Sequence, residues 1–201
     1  RNISAETLIT KGHGMQKYFA ALALALLIVM VIVRVRLLKA KGVAAFKFGA
    51  LDKKDFLLPP FALLFVYIVL AGAFGWPTLG RALFDSAAAA WAGIALCALG
   101  LVCFLLSLIA FGRSFRVGID EDHPGPLVTS GIFSVSRNPI YVSFLLVFFG
   151  IFLALANWVM LLYFVAMTAL IHRQILREES SLKKLYGQAY LDYCGKTRRY
   201  L

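Results

Sequence analysis

Charge is scarce in this chain, and acidic charge is the scarcest. Only 15% of its 201 residues are charged against 61% hydrophobic, and mean hydropathy is +0.82, whereas soluble globular domains carry about 25% charged residues. That shortage excludes an ordinary water-soluble domain and places the chain in a membrane. The 10 Asp and Glu residues are outnumbered by 21 Lys and Arg, a net charge of +11. The basic surplus gathers just outside apolar runs, where anionic head groups and the positive-inside rule account for it without nucleic acid. Cysteine is equally sparse: Cys97, Cys103 and Cys194 form no CxxC pair, and a small soft side chain in an apolar segment usually just packs. His13, His123 and His172 share no ligand spacing, so a protein-built metal site is not expected. No GxGxxG follows a strand-like run and no P-loop is present, which disfavours a Rossmann domain and a P-loop ATPase. The first apolar run lacks a small-x-small cleavage site and ends in a basic cluster, the mark of a retained helix rather than a signal peptide.

What the chain does have is apolar length. Residues 18–33 form a first span. Residues 34–55 then carry Arg34, Arg36, Lys39, Lys41, Lys47, Lys53 and Lys54 against only Asp52 and Asp55, which predicts a cytoplasmic connection. A second run, Phe56 to Trp76, holds Pro59 and Pro60 in its first turn, where missing amide donors matter least. The third, Ala87 to Phe111, is rich in small residues that permit close helix packing. After the polar interval 112–138, two shorter runs, Pro139 to Ala156 and Trp158 to Ile171, are separated only by Asn157 and read as a tight helical hairpin. The basic C-terminus follows. The expectation is an all-α, polytopic membrane protein forming one domain over 1–201, with three N-terminal spans (18–111) and a hairpin-centred region (112–201). It has about five transmembrane helices, an external N-terminus and a cytoplasmic C-terminal helical segment, in an inner or plasma membrane.

Polar residues concentrate at the two open ends of that hairpin. On the entry side, "SVSRNPIYVS" sets Arg137, Asn138, Pro139 and Tyr141 at the threshold of an apolar run. Pro139 suits a first helical turn, and the serines and Asn138 are candidate caps. Interfacial anchoring is the plain alternative. On the exit side, "HRQILREESSLKKLYGQAYLDY" places Glu178 and Glu179 beside an apolar helical seam of Ile175, Leu182, Leu185 and Tyr186. Glu179 has a structural use available in Lys183 at i,i+4, while Glu178 does not. Gly187 offers a cap, and Tyr186, Tyr190 and Tyr193 suit the head-group level. Closing the hairpin makes Arg137 and Tyr141 neighbours of Arg173, Arg177 and the acid pair. A pocket there would admit a polar ligand from the cytoplasm and an apolar one from the lipid.

These segments resemble the membrane methyltransferase superfamily that includes isoprenylcysteine carboxyl methyltransferases and phospholipid N-methyltransferases. The resemblance runs from about Gly112 to Leu201, through "SGIFSVSRNPIY", the paired helices, and "REESSLKKLYGQAYLDYCGKTRRYL". It implies S-adenosylmethionine as methyl donor, with S-adenosylhomocysteine as product. It also implies Gly131, Arg137, Asn138, Pro139, Tyr141 and Glu178 near the cofactor, with Arg173, Glu178 and Glu179 as catalytic candidates. The family's usual entry motif is Arg-His-Pro followed one residue later by Tyr; Asn138 stands at the histidine. The implied acceptor is a lipophilic small molecule or prenylated substrate, with membrane lipids as further partners. Carboxyl methylation leads, and phospholipid N-methylation is the alternative. An NADPH-dependent, sterol-reductase-like enzyme and a non-enzymatic packing or transport protein also stay open.

Overall fold

In a bilayer every backbone amide and carbonyl must find its partner inside the protein, and a helix does this within one segment. The computed structural model describes residues 3–40, 58–111 and 126–201, and within them it is helical nearly throughout. The connection carrying Lys41, Lys47, Lys53 and Lys54, and the part of the polar interval that holds His123, lie outside the described residues. In chain order the helices are α1 (Ile3–Ala40), α2 (Leu58–Phe74), α3 (Ala87–Phe111), α4 (Pro139–Leu155), α5 (Trp158–Tyr186) and α6 (Gln188–Lys196), with a 3₁₀ turn at Gly131–Ser134 before α4. Three stretches, Gly14–Leu37, Ala87–Phe111 and Trp158–Tyr186, are long and apolar enough to cross a membrane, and Phe61–Phe74 and Pro139–Leu155 are shorter apolar helices. The chain is an all-α, multi-pass membrane protein.

Two helices run further than their apolar composition suggests. In α1 the helix continues to both sides of the apolar residues 18–33, and Gln16 is buried within it at 1% exposure. More consequential is α5. The apolar run ends at Ile171, but the helix continues unbroken to Tyr186, 29 residues in all. No Pro or Gly interrupts it, and the Arg, Gln, Leu, Glu and Lys that follow are strong helix formers. It stops where Gly187 takes φ +53, a conformation costly for other residues. Glu178 and Glu179 therefore ride on the same rigid rod as the second arm of the hairpin.

The small residues of α3 serve as expected, against α4. A Cβ on Gly93 would overlap the carbonyl of Gly150 and sit 2.9 Å from Leu153 Cβ, and one on Gly100 would lie 2.9 Å from Ser143 O. Cys97 packs in this seam, its thiol 3.5 Å from Val147 O. At the closed end of the hairpin Ala156 adopts φ +40, and Asn157 caps α5 by accepting from Val159 N at 2.7 Å and Met160 N at 3.4 Å. The Asn157 amide also donates to Leu79 O (2.7 Å), Leu83 N donates to Ala156 O (2.6 Å) and Trp158 N to Arg81 O (3.2 Å). The hairpin turn is thereby stapled to the α2–α3 connection, which leaves the other end of the hairpin open.

Because the α3–α4 seam has no room for a side chain at Gly93 or Gly150, Gly150→Val should destabilise the bundle by about 1–3 kcal/mol, the usual cost of overpacking. Gly195→Ala, with nothing within 4 Å of the new methyl, serves as control. Thermal unfolding in detergent should separate the two.

Candidate functional site

At the open end, three segments distant in sequence converge: the entry to α4, the polar half of α5 and the C-terminal residues. After α6 the chain becomes extended at Thr197 and runs alongside the entry, bridging Ser136 and Arg198 in parallel. Arg137 N donates to Arg198 O at 2.9 Å, and Asn138 Nδ2 and Ser136 Oγ donate to Arg199 O at 3.1 and 3.4 Å. Tyr193 of α6 donates to Phe133 O at 2.5 Å, locking the 3₁₀ turn. Tyr190 and Tyr193 are buried, not placed at the head groups as their spacing suggested, because α6 folds them under the entry. Burial pushes the Tyr193 phenol up to about 12. Burial also raises Tyr190, and the nearby Glu179 charge adds to the effect. Both phenols therefore stay protonated at neutral pH.

Glu179 is the centre of the convergence. Its Oε1 accepts from Arg137 Nη2 and Asn138 Nδ2, each at 3.2 Å; its Oε2 accepts from Arg199 Nε at 3.0 Å and Nη2 at 2.8 Å. The side chains of Arg137 and Glu179 are each 11% exposed, and that of Arg199 is 38% exposed. The hydrogen bonds to Glu179 raise the Arg199 pKa above its ordinary value. Lys183, the candidate partner of Glu179, is exposed and takes no part. Two guanidinium groups share the one carboxylate of Glu179, and Arg137 Nε is buried without a hydrogen-bond partner.

Glu178 has a different environment one residue away, about 100° around the helix. Its Oε1 accepts from Tyr141 OH at 2.5 Å and Gln174 Nε2 at 3.0 Å. Its Oε2 takes no hydrogen bond among the described residues. One acid of the pair is thus enclosed by cations and the other remains open.

Deeper in the bundle an apolar cavity of about 350 Å³ lies between α1, α2, α4 and α5. Its walls include Leu27, Phe65, Phe144, Phe148, Tyr163 and Met167. Along α4, Tyr141, Phe144 and Phe148 follow i, i+3, i+7 spacing. Along α5, Tyr163, Met167, Gln174 and Glu178 keep to one stripe. The same two stripes are polar at the mouth and apolar further in.

Other anticipated residues are placed apart. Pro139 opens α4 as its first residue, but Asn138 does not cap the helix, because its side chain is committed to Glu179 and Arg199. Gly131 starts the 3₁₀ turn with φ +63 and packs toward Ala110 at the end of α3, away from the acids. Arg173 is exposed on the outer side of α5 and makes no hydrogen bond or ion pair among the described residues. The sequence reading missed Arg199, Ser136, Gln174 and the His172–Tyr200 pair, whose Nδ1 and OH lie 2.5 Å apart. Helical spacing to Glu178 would have flagged Gln174. Nothing local flags Arg199.

The family model for phospholipid methyltransferases matches residues 88–189. Protein-S-isoprenylcysteine O-methyltransferase B of Arabidopsis thaliana is 30% identical over 107 residues, 52% of this chain and 54% of that protein. The match thus spans about half the length of that relative. Among solved structures, a eukaryotic intramembrane Ras methyltransferase, isoprenylcysteine carboxyl methyltransferase, superposes with a TM-score of 0.65 at 20% identity, covering 92% of this chain and 66% of that one. That likeness is one of fold.

The hydrogen bonds of Asn138 yield a graded expectation. Asn138→Leu removes both donations and should cost about 1–3 kcal/mol, the range for bonds to charged groups and buried acceptors. Asn138→His keeps an N–H for Glu179 and should lose less. Asn138→Asp sets a second carboxylate against Glu179 and should lose most. Thermal unfolding of the three variants in one detergent ranks them.

Proposed function

The chain belongs to the phospholipid methyltransferase family, and on that premise we propose that it is an S-adenosylmethionine-dependent methyltransferase acting at the membrane on a lipophilic, isoprenylcysteine-like acceptor. One observation carries the reading. One helical stripe on each arm of the hairpin is polar at the mouth, at Tyr141, Gln174 and Glu178, and lines the apolar cavity further in, at Phe144 and Met167. A water-borne donor and a lipid-borne acceptor can meet only at such a junction.

The residues fit the donor on two counts. The buried, unpaired Nε of Arg137 suits the carboxylate of its amino-acid end. The open Glu178 carboxylate, beside the electron-rich ring of Tyr141, suits a positively charged sulfur. S-adenosylmethionine supplies an electrophilic methyl group on that sulfur. Arg137 and Asn138 would hold its polar end, while Gly131 and Pro139 shape the entry. Tyr141 and Gln174 hold Oε1 and so fix the Glu178 rotamer, which leaves Oε2 to serve the donor without reorganising during the reaction. The apolar walls hold the acceptor tail, keep water out and set its head beside the donor, where positioning supplies much of the rate.

Glu178 also supports a second reading of the acceptor. A carboxylate acceptor is already nucleophilic but needs a cation to tolerate Glu178, and Arg173, the candidate for that task, points outward. An amine acceptor must lose a proton, and Glu178 Oε2 is open to take it. An isoprenylcysteine-like carboxylate is favoured by the relatives; a lipid amine is favoured by this local geometry.

The topology belongs to the same proposal: five crossings, the N-terminus outside, and both basic segments with the C-terminus in the cytoplasm. The staple between the hairpin turn and the α2–α3 connection supports it, since it sets both at the end opposite the mouth.

In nanodiscs, calorimetry should show binding of S-adenosylmethionine and S-adenosylhomocysteine but not NADPH; selective NADPH binding would move the reading to a reductase. Glu178→Gln should lower turnover about 100-fold, the lower end of general acid–base effects, with S-adenosylhomocysteine affinity little changed. Radiolabelled methyl transfer into prenylcysteine analogues and aminophospholipids decides between the acceptors. Cysteine labelling of intact cells should find positions near Lys47 and Lys196 inside and near Lys11 outside; an external C-terminus would overturn the five-crossing arrangement.

A further inference from the structure

Arg137 holds Glu179 with a single nitrogen, although an arginine facing a carboxylate normally closes a two-pronged fork. The reason lies on the C-terminal strap. Arg199 occupies Oε2 with both Nε and Nη2, at 3.0 and 2.8 Å, so Arg137 is left with Oε1, through Nη2 at 3.2 Å, and shares that oxygen with Asn138. Its Nε stays buried and unpaired. Leaving a buried donor unsatisfied is costly, and such a donor in a cationic cluster is a standing demand for an anion. The strap that delivers Arg199 is itself well fastened. Backbone and side-chain bonds join residues 136–138 to Arg198 O and Arg199 O, and Tyr200 meets His172 on α5.

We propose that Arg199 is a positioning residue: by neutralising Glu179 from the strap side, it keeps Arg137 from closing on Glu179 and so frees its guanidinium for the carboxylate of the methyl donor. The inference rests on the donor reading above. Arg199 itself need not touch the ligand. Without it, Arg137 and Glu179 form a closed, neutral pair, and the guanidinium is no longer available to a ligand. With Arg199 and the Glu179 charge both removed, Arg137 is free again.

A purely mechanical strap makes different demands, and binding assays separate the two. Calorimetry in nanodiscs would compare S-adenosylmethionine with decarboxylated S-adenosylmethionine, which keeps the adenosine, sulfonium and amine but lacks the carboxylate. For Arg199→Ala the affinity for S-adenosylmethionine should fall about ten- to a hundred-fold, the worth of one hydrogen bond to a charged group, while the decarboxylated compound binds as before. Arg199→Lys, which keeps the charge, should retain most of the affinity, and Arg199→Ala with Glu179→Gln should recover it. Equal loss for both compounds with no recovery in the double variant overturns the role of Arg199 alone, as does an unchanged affinity in Arg199→Ala. If the unaltered protein binds neither compound, the donor reading falls and this inference with it.

Discussion

The carboxylate of Glu179 is the point at which this molecule is tied together. It accepts from Arg137 and Asn138 at the entry to α4 and from Arg199 on the C-terminal strap. A carboxylate in so enclosed a position is tolerable only if every lone pair is used and opposite charge is close; a half-satisfied acid would cost more than an apolar residue in its place. Four donors meet that condition. The same requirement orients its neighbours. With Glu179 turned toward the entry, the helix carries Glu178 round to Tyr141 and Gln174, which both bond one of its oxygens. An exposed ion pair would contribute little to such an arrangement; this one acts because burial makes its geometry compulsory.

The rest of the architecture delivers Glu179 and Glu178 to that place. The continuous α5 rod carries the acids out of the apolar layer without a hinge. The glycine seam between α3 and α4 holds the first arm of the hairpin close to the bundle. The staple at Asn157 prevents the closed end from splaying. Together these hold the two arms of the hairpin in place, polar at one end and apolar at the other. A site meant to join a water-soluble reactant to a lipid-dissolved one needs this gradient, because neither reactant can go far into the other's solvent without a large transfer cost. Adjacent carboxylates with opposite surroundings recur where one group must build a site and another must serve the chemistry.

Local chemistry was enough for much of this. Scarce charge and five apolar runs determined the membrane setting and the helical class, since runs of that length and unbroken apolarity satisfy their backbone in lipid as helices. The lone Asn157 between two runs determined the hairpin, Pro139 and Gly187 its helix start and stop, and the small residues of α3 its close packing. The motif residues on both flanks indicated which end would be polar. All of these are properties of a residue and its near neighbours.

Tertiary structure decided what those residues do with one another. In sequence Glu179 differs from Glu178 chiefly in having Lys183 four residues on. Lys183 at i,i+4 was the better local partner, yet Arg137 and Arg199 take the acid because folding brings them to its inner side. Asn138 looked like a cap and became a donor to Glu179; Tyr190 and Tyr193 looked like head-group anchors and went under the entry. Arg173 matched a motif but lies on the outer face of its helix, and Arg199 matched none but completes the cluster. Hydrogen-bond partners and desolvation depend on distances between segments far apart along the chain, and periodicity and propensity, which act over a few residues, do not carry that information.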